Sequence, residues 1–231
     1  MYHLTRRNST YLRIYHWVLV LLIGIIVPTG WYIHHPLSFV QINFGHMFTV
    51  HVFCGFLLSY LLMSRAYYAW VHQDYQSIVF TWQDFTELAA LFQYYLFLRA
   101  DKPPVRKYNA GQRLFYTGWY IVLSLANISG ALAYKESYFL PFARVLGGVH
   151  HLAWITLFGA FALTLTVPLH IYLAFTENMA NLQAMVTGYS YILKPGSPHV
   201  TLPEVDKIQE KLPGKWLWRK LLSLRHKSPP N

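Results

Sequence analysis

Four long apolar stretches, at about 11–33, 44–68, 114–133 and 149–175, decide what this chain can fold into. Each is near the length of roughly 20 residues that a helix needs to cross a bilayer. No Asp or Glu lies inside any of them. The fourth, VHHLAWITLFGAFALTLTVPLHIYLAF, also lacks Lys and Arg, yet carries His150 and His151 at its start and His170 near its end. Charged residues make up 12% of the 231-residue chain, against about 25% in soluble domains. An integral membrane protein with one helical bundle follows. The first stretch is too long for a cleaved signal peptide and lacks an A-x-A-like site.

Lys and Arg assign the two sides. All but Lys135 and Arg144 of the 19 precede the first stretch or start within its first turn, lie between the end of the second and the third, or follow the fourth. The positive-inside rule then puts both termini and the long middle loop in the cytoplasm, with loops 34–46 and 134–148 outside. This placement accounts for the net charge of +10 without nucleic acid as a partner. Within the middle loop, Trp82 to Leu98 is apolar but short and holds Gln83, Asp84, Glu87 and Gln93. It reads as an interfacial helix on the cytoplasmic leaflet. Asp101–Lys107 reads as a turn. The tail 194–231 is basic, and Lys215–Arg225 reads either as a short amphipathic helix on anionic lipid or as a loose basic segment.

The chemistry lies in the histidines. The single cysteine, Cys54, excludes disulfide scaffolds, thiolate metal sites and iron–sulfur ligation within the chain. His3, His72, His199 and His226 fall in loops or tails, and His34, His35 and His46 at the outer interface. His16, His51, His150, His151 and His170 remain. Imidazole within hydrocarbon is costly and usually functional, and neutral imidazole is a haem ligand. Helix direction sorts these five into two layers. His16 and His170 lie toward the cytoplasmic face, while His51, His150 and His151 lie toward the outer face. Each layer draws on two helices, as bis-histidine haem requires. Gly55, one turn after His51, would let a flat macrocycle approach the backbone. A proton relay would recruit Asp or Glu within the crossings, and none is there. Packing histidines in a haem-free anchor or transporter are the other alternative.

Several short motifs, in order, resemble the b-type cytochrome subunit of membrane-bound nickel–iron hydrogenases. Arg13-Ile14-Tyr15-His16-Trp17 with Thr29-Gly30 resembles that family's R-x-x-H-W…T-G opening. His51-Val52-Phe53-Cys54-Gly55, then Arg65 and Tyr67-Tyr68-Ala69-Trp70, resembles its second helix. Tyr94–Leu98 with Arg99 and Pro103 resembles its WYLFL stretch. His150-His151-Leu152 resembles the H-[RH]-L start of its fourth helix. His170-Ile171-Tyr172, Glu177-Asn178-Met179 and Met185–Tyr189 resemble its end and cytoplasmic exit.

The resemblance implies an all-α membrane protein. Residues 1–193 would form a four-transmembrane-helix haem-binding bundle with an interfacial helix between helices 2 and 3. It implies that His16 with His170 holds an inner haem b and His51 with His150 an outer one, with Arg13 and Arg65 near haem propionates. It also implies a multi-pass subunit of the prokaryotic inner membrane. That subunit would anchor the small and large subunits of a hydrogenase and pass electrons from their iron–sulfur clusters to quinone, with no bond-breaking chemistry of its own. Formate dehydrogenase and thiosulfate reductase use related cytochromes as partners. Residues near His16 and His170, such as Tyr172 and Glu177, are candidates for a quinone pocket.

One departure stands out. His150 and His170 are 20 residues apart, roughly 30 Å on an ideal helix, and point to nearly opposite faces. His151 lies about a quarter turn from His170 in phase, and Pro168 is placed to kink the helix. Two haems or one, and His150 or His151 as ligand, both stay open on sequence grounds.

Overall fold

The computed structural model of the chain describes residues 2–36, 42–100, 108–176 and 179–193. The turn Asp101–Lys107, Glu177, and the tail with Lys215–Arg225 lie outside the described residues. The elements run β1 (Tyr2–Arg6), α1 (Thr10–His34), α2 (Phe44–Val71), α3 (Tyr75–Ile78), α4 (Asp84–Tyr95), α5 (Ala110–Tyr134), α6 (Glu136–Val145), α7 (Gly148–Thr176), α8 (Met179–Thr187) and β2 (Tyr189–Leu193). Among the described residues, three helices, α1, α2 and α7, are long and apolar enough to cross a membrane. α5 equals α1 at 25 residues but carries Arg113, Thr117, Asn127 and Ser129.

Local chemistry explains the helix starts. The side chain of Asn43 accepts the His46 N–H at 3.3 Å and begins α2. At α5, Asn109 accepts the Gln112 N–H at 2.8 Å while the Gln112 side chain accepts the Asn109 N–H at 3.1 Å. This reciprocal box satisfies two donors that a helix start leaves open. α4 forms within the stretch read as an interfacial helix. α6 occupies what the sequence suggested was an outer loop. It bends at Phe139 (φ −108°, ψ 17°), two residues before Pro141, whose ring nitrogen has no hydrogen for the preceding turn.

The chain divides into two units. One is Trp17–Leu169. Its core gathers Leu22, Cys54, Leu58, Leu62, Leu123 and Leu163 from α1, α2, α5 and α7. Cys54, Leu58 and Leu62 repeat every four residues, so one stripe of α2 faces inward. Large apolar side chains such as Leu21, Phe53, Phe158 and Leu165 point outward, as a lipid-facing surface demands. Polar groups join the helices. Asn127 donates to the Gly55 carbonyl at 2.9 Å and accepts from Ser59 at 2.6 Å. The Trp119 indole donates to Thr166 at 2.8 Å, and Ser129 meets Thr156 at 2.9 Å. In hydrocarbon, such bonds and close small-residue contacts do what the hydrophobic effect does in water. Gly159 illustrates the second kind, since a Cβ there would lie 2.7 Å from Ala126 Cβ.

α4 is fastened to α5 by a buried ion pair. Arg113 Nη1 donates to Asp84 Oδ1 at 2.8 Å, with the Asp84 side chain 1% exposed. Arg113 also donates to the Val79 carbonyl from Nε and Nη2, at 3.1 and 2.6 Å. Thr81 donates its N–H and hydroxyl to Asp84 Oδ2 at 2.6 and 2.8 Å. Each charge is thus met by several partners, the condition under which burying it is tolerable.

The other unit is Met1–His16 with His170–Asn231. Here β1 and β2 pair antiparallel, from Tyr2↔Leu193 to Arg6↔Tyr189, a ribbon that an all-α reading did not include. Gly188 turns the chain into β2 at φ +90°, a conformation that favours glycine. Its carbonyl accepts the N–H groups of Arg7 and Asn8 at 2.9 and 3.2 Å.

Candidate functional site

Two of the five helix histidines meet directly. His16 on α1 and His170 on α7 are both half-buried. Their ring centroids are 6.4 Å apart, with the planes at 55°. A metal–imidazole bond is about 2 Å, so this separation accommodates one metal atom between two ring nitrogens. α7 continues through Pro168 to Thr176, so the proline does not end the helix before His170. Nearby in sequence, the Arg13 guanidinium donates from Nη2 to the Val186 carbonyl. A Cβ on Gly188 would lie 3.4 Å from Arg13 Nη1. The R-x-x-H and Val186–Gly188 motifs therefore meet in space, with Arg13 joining α1 to the end of α8.

The second site is a cavity of about 530 Å³ within Trp17–Leu169. Cofactor pockets span roughly 300–1,000 Å³. α1, α2, α5 and α7 all line it, with His51, Gly30, Gly55, Asn127, Gly130 and Gly159 among the lining residues. His34, which the sequence placed at the outer interface, also lines it. The ring of His51 is held: its Nδ1 lies 3.0 Å from Thr29 Oγ1. Gly30 lies against the same ring, for a Cβ there would sit 3.1 Å from His51 Cε1. Gly55 serves differently from the expected macrocycle contact alone, since its carbonyl also accepts the Asn127 amide.

His150 and His151 are exposed at the start of α7. His150 Nε2 accepts the Trp154 indole N–H at 2.9 Å. His151 donates from Nδ1 to the Gly147 carbonyl at 2.7 Å. Arg65 donates to Asp74 at 2.6 Å, closing the end of α2 onto the turn before α3. Thr29 entered the sequence reading only within the Thr29-Gly30 motif, with no role given to it at the site. Its signal was a hydroxyl in an apolar run, next to a glycine.

The donor set fits a haem. Among the described residues, no three His, Cys, Asp or Glu gather as a metal site. A bare ion would find too few ligands, whereas a porphyrin brings four nitrogens and needs only axial imidazoles. A facing imidazole pair and an apolar, glycine-lined cavity with one oriented imidazole both meet that need.

A family model described as prokaryotic cytochrome b561 matches residues 7–188. Curated relatives agree. The chain is 26% identical over 215 residues to a probable Ni/Fe-hydrogenase B-type cytochrome subunit of Rhodobacter capsulatus, covering 79% of this chain and 80% of that protein. It is 26% identical over 208 residues to the probable Ni/Fe-hydrogenase 1 B-type cytochrome subunit of Escherichia coli (strain K12), covering 77% and 86%. With the Azotobacter chroococcum mcd 1 probable Ni/Fe-hydrogenase B-type cytochrome subunit it shares 24% over 202 residues, covering 76% and 82%.

Proposed function

The chain belongs to the prokaryotic cytochrome b561 family, and from that premise we propose that it is the haem b membrane subunit of a nickel–iron hydrogenase. In this role it anchors the hydrogenase small and large subunits on the outer face and delivers their electrons to membrane quinone. The observation that carries the reading is the facing pair His16 and His170, 6.4 Å between centroids, in a chain whose relatives are hydrogenase cytochromes.

Four crossings, α1, α2, α5 and α7, form the bundle in residues 1–193, with α4 on the cytoplasmic leaflet and both termini inside. The Lys and Arg distribution supports that orientation. His16 and His170 are the axial ligands of the inner haem b. His51 with His150 holds the outer one, His151 being the substitute for His150. Bound there, haem supplies reversible one-electron transfer between ferric and ferrous iron. The chain supplies the imidazoles, fixes their ring orientation, excludes water with an apolar lining and so sets the potential. Arg13 and Arg65 are available to haem propionates in addition to their partners Val186 and Asp74, since a guanidinium has five donors.

The test is a pyridine haemochrome assay on the purified chain and on His51→Ala and His16→Ala, with co-purification from native membranes. Loss of one haem in each variant, and a nickel-containing partner in the wild type, is expected. Undiminished haem in both variants would sink the ligand assignment. A molybdenum-containing partner in place of nickel would move the cytochrome to another oxidoreductase.

A further inference from the structure

We propose that Thr29 is the positioning residue for His51. Its hydroxyl oxygen accepts the Nδ1–H of that imidazole, which fixes the tautomer that offers Nε2 to iron and sets how strongly the ring donates. This rests on the reading of His51 as an axial ligand.

The direction of the bond follows from counting protons. Thr29 Oγ1 lies 2.7 Å from the Ile25 carbonyl oxygen and 3.1 Å from that of Ile26. Both are acceptors only, so the single hydroxyl proton is used there. Toward His51 Nδ1, 3.0 Å away, Thr29 has only a lone pair to offer. Nδ1 must then carry the hydrogen, and Nε2 is left as the basic nitrogen. Thr29 is 7% exposed, which limits competition from water. The next residue completes the seat. Gly30 admits Cε1 where any larger residue would place a Cβ at 3.1 Å. One residue holds a ring nitrogen and its neighbour makes room for the adjacent carbon. His151 provides the contrast, because its Nδ1 is satisfied by a carbonyl of its own chain four residues earlier. His51 instead reaches from α2 to α1, so the same bond that sets the tautomer also sets the register of two helices.

An acceptor on the nitrogen that does not bind the metal makes an imidazole a stronger donor and stabilises the higher oxidation state of the metal. Thr29 therefore lowers the potential of the haem that His51 binds.

The experiment uses the full haem-loaded chain in detergent, as wild type, Thr29→Val, Thr29→Ser and His51→Ala. Haem content, an optical redox titration and the low-spin ferric EPR spectrum are recorded. Thr29→Val keeps the side-chain shape and removes the hydroxyl acceptor, leaving the Ile26 backbone as the ring's other hydrogen-bond partner. We expect one redox component to shift upward and its EPR signal to change, with Thr29→Ser restoring wild-type behaviour. A tenfold weaker hold on ferric relative to ferrous haem corresponds to about 59 mV for one electron. Should Thr29→Val shed that haem altogether, retention in Thr29→Ser sustains the role of the hydroxyl, and loss in both overturns it. A Thr29→Val protein with wild-type titration and spectrum overturns the proposal while the loss of one haem in His51→Ala leaves the ligand reading intact. Full haem in His51→Ala removes the ligand reading, and this proposal with it.

Discussion

At the scale of single residues, the adjacent histidines at the start of α7 are separable. Ala153, Leu157 and Ala160 of α7 line the cavity. His150 precedes them by three, seven and ten residues and lies within about 80° of each in phase, while Thr156, Gly159 and Leu163, which also line the cavity, lie about 120° or more from it. His151 is turned about 100° from His150, on the side away from Leu157 and Ala160. His150 Nε2 accepts the Trp154 indole N–H, so Nε2 is the unprotonated nitrogen and reaches a metal only by giving up that bond. His151 is fitted to the helix start: Gly147, at φ +87°, lets its ring close in, and a Cβ there would lie 2.7 Å from Nδ1. His150→Ala should therefore lose the haem that His51→Ala loses, whereas His151→Ala should retain wild-type haem content. Pyridine haemochrome on the two variants checks this, and the reverse pattern would exchange their roles.

At the scale of elements, α4 depends on one buried pair. Removing Asp84 leaves the Arg113 charge, 7% exposed, facing the Val79 carbonyl without a counterion. Breaking one partner of a buried pair costs roughly 3 to 5 kcal/mol. Asp84→Ala should lower the thermal unfolding midpoint sharply, and Asp84→Ala with Arg113→Met should recover much of the loss, since no orphan charge remains. A double variant no better than the single would show that the pair acts through more than charge. Arg113 also marks where sequence reading stops. The sequence reading took it as a flag before a crossing from Leu114, whereas it lies within α5 and turns inward to a carboxylate 29 residues away. The four long helices were legible because apolar runs are local signals, while the caps Asn43 and Asn109, equally local, were not used. The ribbon of β1 and β2 was not legible, because its pairing joins residues nearly the whole chain apart. The bond between Thr29 and His51 was hidden for a related reason: it depends on the relative rotation of two helices, which neither run encodes alone.

At the scale of the whole molecule, the 20-residue spacing of His150 and His170 ceases to be an obstacle once each histidine is assigned its own partner. Opposite phase on α7 separates His150 from His170, and His170 meets His16. Two haems per chain are expected, titrating as two one-electron components, with His16→Ala and His170→Ala abolishing the same one. Variants at those two sites that removed different components would break the pairing. The order of the two along the electron path depends on which way the chain is threaded. In the orientation proposed from the Lys and Arg distribution, the turn after α2 lies inside and α6 outside. Cys54 is buried at 5% exposure, so replacing it by Ala leaves a background for single-cysteine labelling. Tyr138 on α6 is 79% exposed and Gln73 after α2 is also exposed. In intact cells a membrane-impermeant maleimide should label Tyr138→Cys and leave Gln73→Cys unlabelled until lysis. The opposite pattern would invert the bundle. His16 and His170 would then face the outer partner, and quinone reduction would belong to the His51 end.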